Sequence, residues 1–165
     1  MIAITPEELA ALRHYLIRNE GRRYAAYSDS RGILTVGVGF NLFRADARQK
    51  IRGLGLDYDK VLKGEQELTD EQIEVLLAED LHTAVTAAAA LVPGWASLSA
   101  ARKRALADMA FNLGATGLAK FSRLIVAISA KNWEAAEAEI MNSIYSRQVG
   151  PRARRNARAI RHGNA

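Results

Sequence analysis

The chain has 165 residues, a net charge of +5, 49% hydrophobic residues and no cysteine. That length suits one domain with a sizeable core, or two small lobes that share a helix, and the lack of cysteine excludes disulfides and thiolate metal sites. Three widely separated histidines follow no ligand spacing, so we expect no metal and no cofactor. We also expect no signal peptide and no transmembrane segment, because no apolar stretch has the required length.

The first predicted helix has clear boundaries. Thr5 is the expected N-cap, Pro6 occupies the first helical position and Glu8 completes a capping box. Gly21 predicts the C-terminal end, which makes Glu20 the last or next-to-last helical residue. The apolar residues of one face predict a buried stripe of Leu9, Leu12 and Leu16.

Residues 22–42 are rich in glycine and β-branched residues and predict the only β structure of the chain, as short strands and turns. They place Asp29 in a turn and Thr35 on the following strand, close to the helix end at Glu20. Hydrolysis of a glycosidic bond needs one carboxylic acid to protonate the leaving oxygen and a second group to activate water or attack. The spacing alone leaves alternatives open: a solvated Glu20, an Asx turn at Asp29 and an ordinary strand residue at Thr35.

The rest of the chain predicts helices. Arg44–Arg52 suits a short helix, and a second capping box at Thr69 and Gln72 begins a helix that runs to about Leu91. Such a helix is about 33 Å long at 1.5 Å per residue and can link a mixed lobe to a helical lobe. Further helices are expected from about Ser99 to Leu113, from near Ser122, from near Asn132, and through the arginine-rich end. The aromatic residues expected in the core of the helical lobe are Trp95, Phe121 and Trp133.

Several segments resemble the phage-type lysozymes, the muramidase endolysins of glycoside hydrolase family 24. The strongest resemblance lies in Arg18–Arg22, Tyr27–Gly32 and Thr35–Gly39, and it continues through Arg102–Phe121 and Trp133–Arg155. The family implies an α+β, mainly helical, lysozyme-like fold of two lobes, formed by a single domain over residues 1–165. The N-lobe would span about 14–68 and contain a small β-hairpin. The connecting helix would span about 69–91, and the C-lobe about 92–165 together with the N-terminal helix.

The resemblance also implies the roles of the site residues. Glu20 would be the general acid, Asp29 the second catalytic carboxylate and Thr35 the hydroxyl that positions water in an inverting mechanism. The residues expected to bind substrate are Gly39, Phe111, Asn112, Gln148 and Arg152. Arg152 is expected to pair with Glu20, at the cost of favouring the ionised form of the acid.

One position departs from the family pattern. Many relatives carry histidine after the Gly-hydrophobic-Gly strand, where this chain has Phe40. Such a histidine can pair with an acid at the position of Asp80, so we expect that ion pair to be missing here. The departure bears on stability and pH response more than on catalysis.

The implied reaction is cleavage of the β-1,4 bond between N-acetylmuramic acid and N-acetylglucosamine in bacterial peptidoglycan, with lysis of the host. A monomer made in the host cytoplasm would reach the wall in the periplasm after holin-dependent release.

Six arginines and no acidic residue lie between Arg147 and Arg161, so this end either forms a solvated helix face or contacts the anionic wall or membrane. The alternatives are a lytic transglycosylase and a basic nucleic-acid-binding domain, although no helix-turn-helix supports specific nucleic-acid binding.

Overall fold

The computed structural model describes residues 4–164 and divides into two compact units. One unit is residues 15–80, and the other combines the residues up to 14 with those from 81 onward. Along the chain the elements are α1 (Pro6–Glu20), β1 (Arg23–Ser28), β2 (Leu34–Gly37), β3 (Phe40–Asn41), α2 (Ala47–Gly53), α3 (Tyr58–Leu62), α4 (Asp70–Leu91), α5 (Ala100–Ala119), α6 (Ser122–Ser129), α7 (Trp133–Met141), α8 (Ile144–Val149) and α9 (Pro151–His162). The described chain is therefore an α+β, mainly helical, lysozyme-like fold.

Both predicted capping boxes are confirmed. The Thr5 amide donates to Glu8 Oε2 at 2.9 Å and the Glu8 amide to Thr5 Oγ1 at 3.2 Å. The same reciprocal pair joins Thr69 and Gln72, at 2.9 Å and 3.2 Å, ahead of the 22-residue helix α4. These side chains satisfy amides that the first helical turn leaves without partners, which fixes where α1 and α4 begin.

The unit of residues 15–80 contains the three-stranded antiparallel sheet, in the order β1–β2–β3. In the register, Tyr27 lies opposite Thr35 and Thr35 opposite Asn41. Within the described residues this is the only sheet, as the sequence predicts. The buried core of the unit includes Leu16, Val36, Phe40, Leu42, Ile51, Val61, Ile73 and Leu76.

Asp80 has a cationic partner in this unit, although position 40 lacks histidine. Arg44 Nη1 donates to both carboxylate oxygens of Asp80 at 2.9 Å, and its Nε and Nη2 donate to Asp46 at 2.6 Å and 2.9 Å. The guanidinium carbon also lies 4.7 Å from the ring centroid of Phe40. Arginine four residues further along the chain thus pairs with Asp80, and the aromatic ring provides a face for its guanidinium.

The other unit is built from the second half of α4 and from α5 to α9, together with the start of α1. Leu106, Met109, Leu118, Leu124, Ile140 and Ile160 are among its fully buried side chains. Arg102 joins three of its helices, because its guanidinium lies 3.5 Å from the Trp133 ring centroid and its Nε donates to the Ile160 carbonyl at 2.9 Å. It therefore satisfies a carbonyl near the C-terminal end of α9 while it stacks on α7.

Several sequence expectations need correction. Leu12 and Leu16 are fully buried, but Leu9 is 39% exposed, so the stripe on α1 is shorter than predicted. Trp95 is buried as expected, whereas Phe121 and Trp133 are only half-buried. The helices α3 and α8 were not predicted, and α2 begins at Ala47 rather than at Arg44.

Candidate active site

Glu20 is the last residue of α1, and two glycines define its surroundings. Gly21 has φ +75° and donates its amide to the Ile17 carbonyl at 2.8 Å, which ends the helix. Gly39 has φ +68°, and a Cβ added to it would lie 3.0 Å from Glu20 Cδ and 3.1 Å from Oε2. The carboxyl group of Glu20 thus packs directly against the backbone of the β2–β3 turn.

Asp29 is anchored in the turn between β1 and β2. Its Oδ1 accepts hydrogen bonds from the Arg31 amide at 2.8 Å and the Ile33 amide at 2.9 Å. Its own amide donates to the Ile33 carbonyl at 2.9 Å, and Arg31 Nε lies 3.8 Å from Oδ2. Asp29 therefore does form the Asx turn that the sequence left open. This turn also immobilises the carboxylate, because one oxygen is bound to the backbone.

Thr35 lies on β2 with its side chain nearly buried, at 4% exposure. Its hydroxyl donates to the Ile33 carbonyl at 3.0 Å. A hydroxyl that donates its proton to a carbonyl keeps its lone pairs as acceptors. Thr35 is thus oriented to accept a hydrogen bond from a further donor, such as a water molecule.

Tyr27 lies in one of the segments that resemble the phage-type lysozymes, but the sequence alone indicates no role for it. It lies opposite Thr35 on β1. Burial raises the pKa of its phenol, and the negative charges of Glu20 and Asp29 raise it further, against the opposing effect of Arg23. The phenol of Tyr27 therefore lies within the electrostatic range of both carboxylates.

The remaining predicted site residues belong to the helical unit. Phe111 and Asn112 lie half-buried on α5, just before the break at Gly114 with φ 72° and ψ 168°. Gln148 is exposed on α8, and Arg152 is buried on α9. The pairing of Arg152 with Glu20 stays a prediction.

Arg152 has a defined anionic partner, Asp108 of α5. Its Nη2 donates to Asp108 Oδ1 at 2.7 Å and its Nε donates to Oδ2 at 2.9 Å. Asn156 Nδ2 donates to the same Oδ2 at 2.7 Å and also lies 3.0 Å from the Tyr145 hydroxyl. The sequence alone indicates no role for Asp108.

The basic C-terminal segment is less uniform than its composition suggests. Arg152 is buried against Asp108, and Arg161 lies 3.4 Å from Glu134 and 3.9 Å from Glu137. Arg147, Arg154, Arg155 and Arg158 are exposed. The exposed cations, rather than all six arginines, are the part of this segment that can meet an anionic surface.

Across residues 4–164 no group of three histidine or acidic side chains is placed to hold a metal ion. Over the same range, none of the helices combines the length and apolar character needed to cross a membrane.

Comparison with known proteins identifies the family of the chain. Residues 17–158, which include Glu20, Asp29 and Thr35, match the phage lysozyme family. The chain is 28% identical to a probable T4-type lysozyme 2 of Dictyostelium discoideum, over 89% of this chain and 91% of that protein. It is 34% identical to the endolysin of Salmonella phage P22, over 73% of this chain and 72% of that protein. It is 29% identical to the pre-baseplate central spike protein Gp5 of Enterobacteria phage T4, over 93% of this chain but only 28% of that protein. The chain therefore belongs to the phage lysozyme family and is a glycoside hydrolase of the lysozyme type.

Proposed function

We propose that this protein is a muramidase that hydrolyses the β-1,4 bond between N-acetylmuramic acid and N-acetylglucosamine in bacterial peptidoglycan. The observation that carries the proposal is the geometry around one small sheet. Glu20 packs against the turn between β2 and β3, and Asp29 lies in the turn between β1 and β2, next to the strand that contains Thr35. Two carboxyl groups in different environments are what acid-assisted glycoside hydrolysis requires.

Glu20 is the general acid in this proposal. Its carboxyl group lies against the backbone of Gly39, so a substrate that covers this surface would remove it from water. Desolvation favours the neutral form of a carboxyl group, which is the form that can protonate the leaving oxygen. Because Glu20 is restricted in position at a helix end, its carboxyl proton would point in one direction, toward the leaving oxygen.

Asp29 and Thr35 form the water-activating pair. Asp29 Oδ1 is engaged by two backbone amides, so Oδ2 is the oxygen we assign to the attacking water. Thr35 donates to a carbonyl and can accept the other proton of that water through its lone pairs. Attack by a water held in this way on the face opposite the leaving group inverts the anomeric configuration.

The helical unit supplies substrate-binding residues in this proposal. The assigned residues are Phe111, Asn112, Gln148 and Arg152, with Gly39 contributing from the sheet. The enzyme would act as a monomer on the wall and reach it from the host cytoplasm after holin-dependent release. The match to part of a phage spike protein supports a second setting, in which the same activity belongs to a virion-associated lysin.

The decisive experiment is hydrolysis of purified peptidoglycan by the wild type and by Glu20→Gln. We expect a loss of about 10²–10⁴-fold, the usual value of general acid catalysis. The matched control is Glu65→Gln, an exposed glutamate in the same unit that should leave the rate unchanged. Residual activity of Glu20→Gln within a few-fold of wild type would contradict the assignment.

Mass spectrometry of the products tests the reaction class. Reducing-end sugars identify a hydrolase, whereas anhydro ends identify a lytic transglycosylase. The proposal requires a water-activating group, so anhydro products would remove the role given to Asp29 and Thr35.

A further inference from the structure

Tyr27 lies directly beside Thr35 on one face of the small sheet. The two residues are opposite each other in the antiparallel register of β1 and β2. Residues in that relation have Cβ atoms about 5 Å apart and project from the same face of the sheet. Val36 and its partner Phe40 are buried in the core and, by the alternation of a strand, project from the other face. Tyr27 and Thr35 therefore share the face that is turned away from this core.

The third strand completes a row of polar side chains across this face. Asn41 lies opposite Thr35 on β3, and its Oδ1 accepts a hydrogen bond from the Phe43 amide at 2.7 Å. Thr35, at the centre of the row, is only 4% exposed, whereas Tyr27 and Asn41 are half-buried. The side chains of Tyr27 and Asn41 therefore border the nearly buried hydroxyl of Thr35.

The phenol hydroxyl of Tyr27 forms no hydrogen bond to any of residues 4–164. In the same part of the chain no buried side-chain oxygen or nitrogen lacks a partner, so this phenol oxygen must be open to solvent. The ring itself is restrained by Arg23, whose guanidinium carbon lies 5.7 Å from the ring centroid. A hydroxyl on a restrained ring can bind a ligand with little further loss of conformational entropy.

The surroundings of Tyr27 keep its phenol protonated. Burial is the main cause that raises its pKa, and the charges of Glu20 and Asp29 raise it further, against the effect of Arg23. Because phenols ordinarily ionise near about pH 10, the hydroxyl remains neutral and able to donate at any pH where hydrolysis takes place. Tyr27 thus presents a hydrogen-bond donor beside the residue that we assign to the attacking water.

We propose that Tyr27 binds substrate by donating a hydrogen bond from its phenol to an oxygen of the sugar that lies over Thr35. This inference rests on the proposed function, in which that sugar is an N-acetyl hexosamine of peptidoglycan. Such a sugar presents hydroxyl and acetamide oxygens, and both accept a hydrogen bond from a neutral donor. Thr35 and Asp29 then hold the water, and Tyr27 holds the sugar that the water attacks.

Tyr27→Phe tests the role of the hydroxyl, because it keeps the ring and removes only the donor. We expect KM for a soluble peptidoglycan tetrasaccharide to rise about threefold to tenfold, the value of one neutral hydrogen bond. We expect kcat to stay within twofold of wild type, as for a contact that ground state and transition state share. The melting temperature should not fall, since the hydroxyl has no partner within residues 4–164. An unchanged KM would overturn the inference.

The matched control is Tyr24→Phe, the same substitution on the same strand. Tyr24 is 43% exposed, and its hydroxyl donates to Asp70 Oδ1 at 3.1 Å. The loss of this surface hydrogen bond should leave KM unchanged. If Tyr24→Phe and Tyr27→Phe raise KM equally, a general disturbance of β1 is responsible and the inference is wrong.

Tyr27→Leu separates the ring from the hydroxyl. This variant loses both groups, so it should raise KM at least as much as Tyr27→Phe does. If Tyr27→Leu raises KM while Tyr27→Phe keeps the wild-type value, the ring alone contacts the substrate and the role given to the hydroxyl is wrong.

Calorimetry of tetrasaccharide binding separates this inference from the proposed function. It is measured in Glu20→Gln, with and without Tyr27→Phe, and the inference expects Kd to rise about threefold to tenfold. If Glu20→Gln is inactive and Tyr27→Phe leaves Kd unchanged, only the role of Tyr27 has failed. Failure of the proposed function gives a different result, in which Glu20→Gln still hydrolyses peptidoglycan.

Discussion

The backbone of Gly39 occupies the space next to the Glu20 carboxyl group, where a Cβ would lie 3.0 Å from Cδ. Gly39 also has φ +68°, a conformation that residues with a Cβ rarely adopt. Two independent features therefore require glycine at this position. The closeness of the contact makes Gly39 part of the surroundings of the proposed general acid, Glu20, as well as a proposed substrate contact.

Gly39→Ala should reduce kcat about 10- to 100-fold, because the new methyl group displaces the carboxyl group from its productive position. The matched control is Gly55→Ala, which has a similar φ of +78° but nothing within 4 Å of the added Cβ. Both variants should lose about 1 kcal/mol of stability from backbone strain, but only Gly39→Ala should lose turnover. Equal losses of kcat in the two variants would show that strain, not contact with Glu20, is responsible.

Thr35→Val should lower kcat by about 10²-fold or more, because it removes the acceptor for the attacking water at nearly constant volume. Thr35→Ser keeps the hydroxyl and should retain most of the activity. An NMR time course of the products should show inversion at the anomeric carbon in the wild type. Net retention would mean that Asp29 attacks directly as a nucleophile.

The charges around Arg44 predict an unusual pH response. Burial raises the pKa of Asp80 despite the attraction of Arg44, whereas the hydrogen bond from Arg44 lowers the pKa of Asp46. Because the pKa of Asp46 is lower in the folded state, ionised Asp46 stabilises the fold at pH values above the ordinary carboxyl pKa. This stabilisation is lost as the pH falls and Asp46 becomes protonated. The raised pKa of Asp80 acts in the opposite direction, because protonation in acid favours the folded state.

Arg44→Met should therefore cost about 1–3 kcal/mol at pH 7, since it leaves Asp80 buried without its cation. The pKa of Asp80 should rise further in this variant, so its stability deficit should shrink as pH falls through the carboxyl range. Urea unfolding between pH 4 and pH 7 measures the effect. Arg44→Met with Asp80→Asn is the control and should be more stable than Arg44→Met alone. A deficit that does not change with pH would contradict this account.

The exposed arginines of α9 give a prediction about encounter with the wall. Arg154→Gln with Arg158→Gln should reduce lysis of sacculi, and the remaining rate should depend less on salt, because exposed charges act over about 10 Å at 0.1 M salt. Turnover of a soluble oligosaccharide should barely change. Arg52→Gln with Lys63→Gln removes the same charge from the other unit and is the control. If hydrolysis of the soluble substrate falls as much as lysis of sacculi, the arginines do not act by attraction to the wall.

Local signals in the sequence predicted much of this fold. Capping boxes fix helix starts through side chains only three residues apart, so Thr5 and Thr69 could be identified directly. Gly21 and Gly114 could likewise be identified as interruptions from their residue type. The short helices α3 and α8 have capping side chains at Asp57 and Ser143, but five or six residues are too few for the apolar periodicity that identifies a helix.

The ion pairs could not be predicted in the same way. Arg44 and Asp80 are 36 residues apart, and Arg152 and Asp108 are 44 apart. No periodic pattern connects residues at such separations, and arginine and aspartate are usually exposed. The resemblance to known lysozymes suggested Arg152 as a site residue, but not the buried carboxylate that holds it.

The division of the chain has a consequence for the order in which its parts form during synthesis. The unit of residues 15–80 is continuous in sequence, whereas the other unit needs residues from both sides of it. As the chain leaves the ribosome, the continuous unit can begin to pack its core while the C-terminal helices are still untranslated. The first half of α1 must then wait for partners that lie beyond the 66 intervening residues, 15–80. Closing that long loop is the entropic step that the helical unit must overcome before its native contacts form.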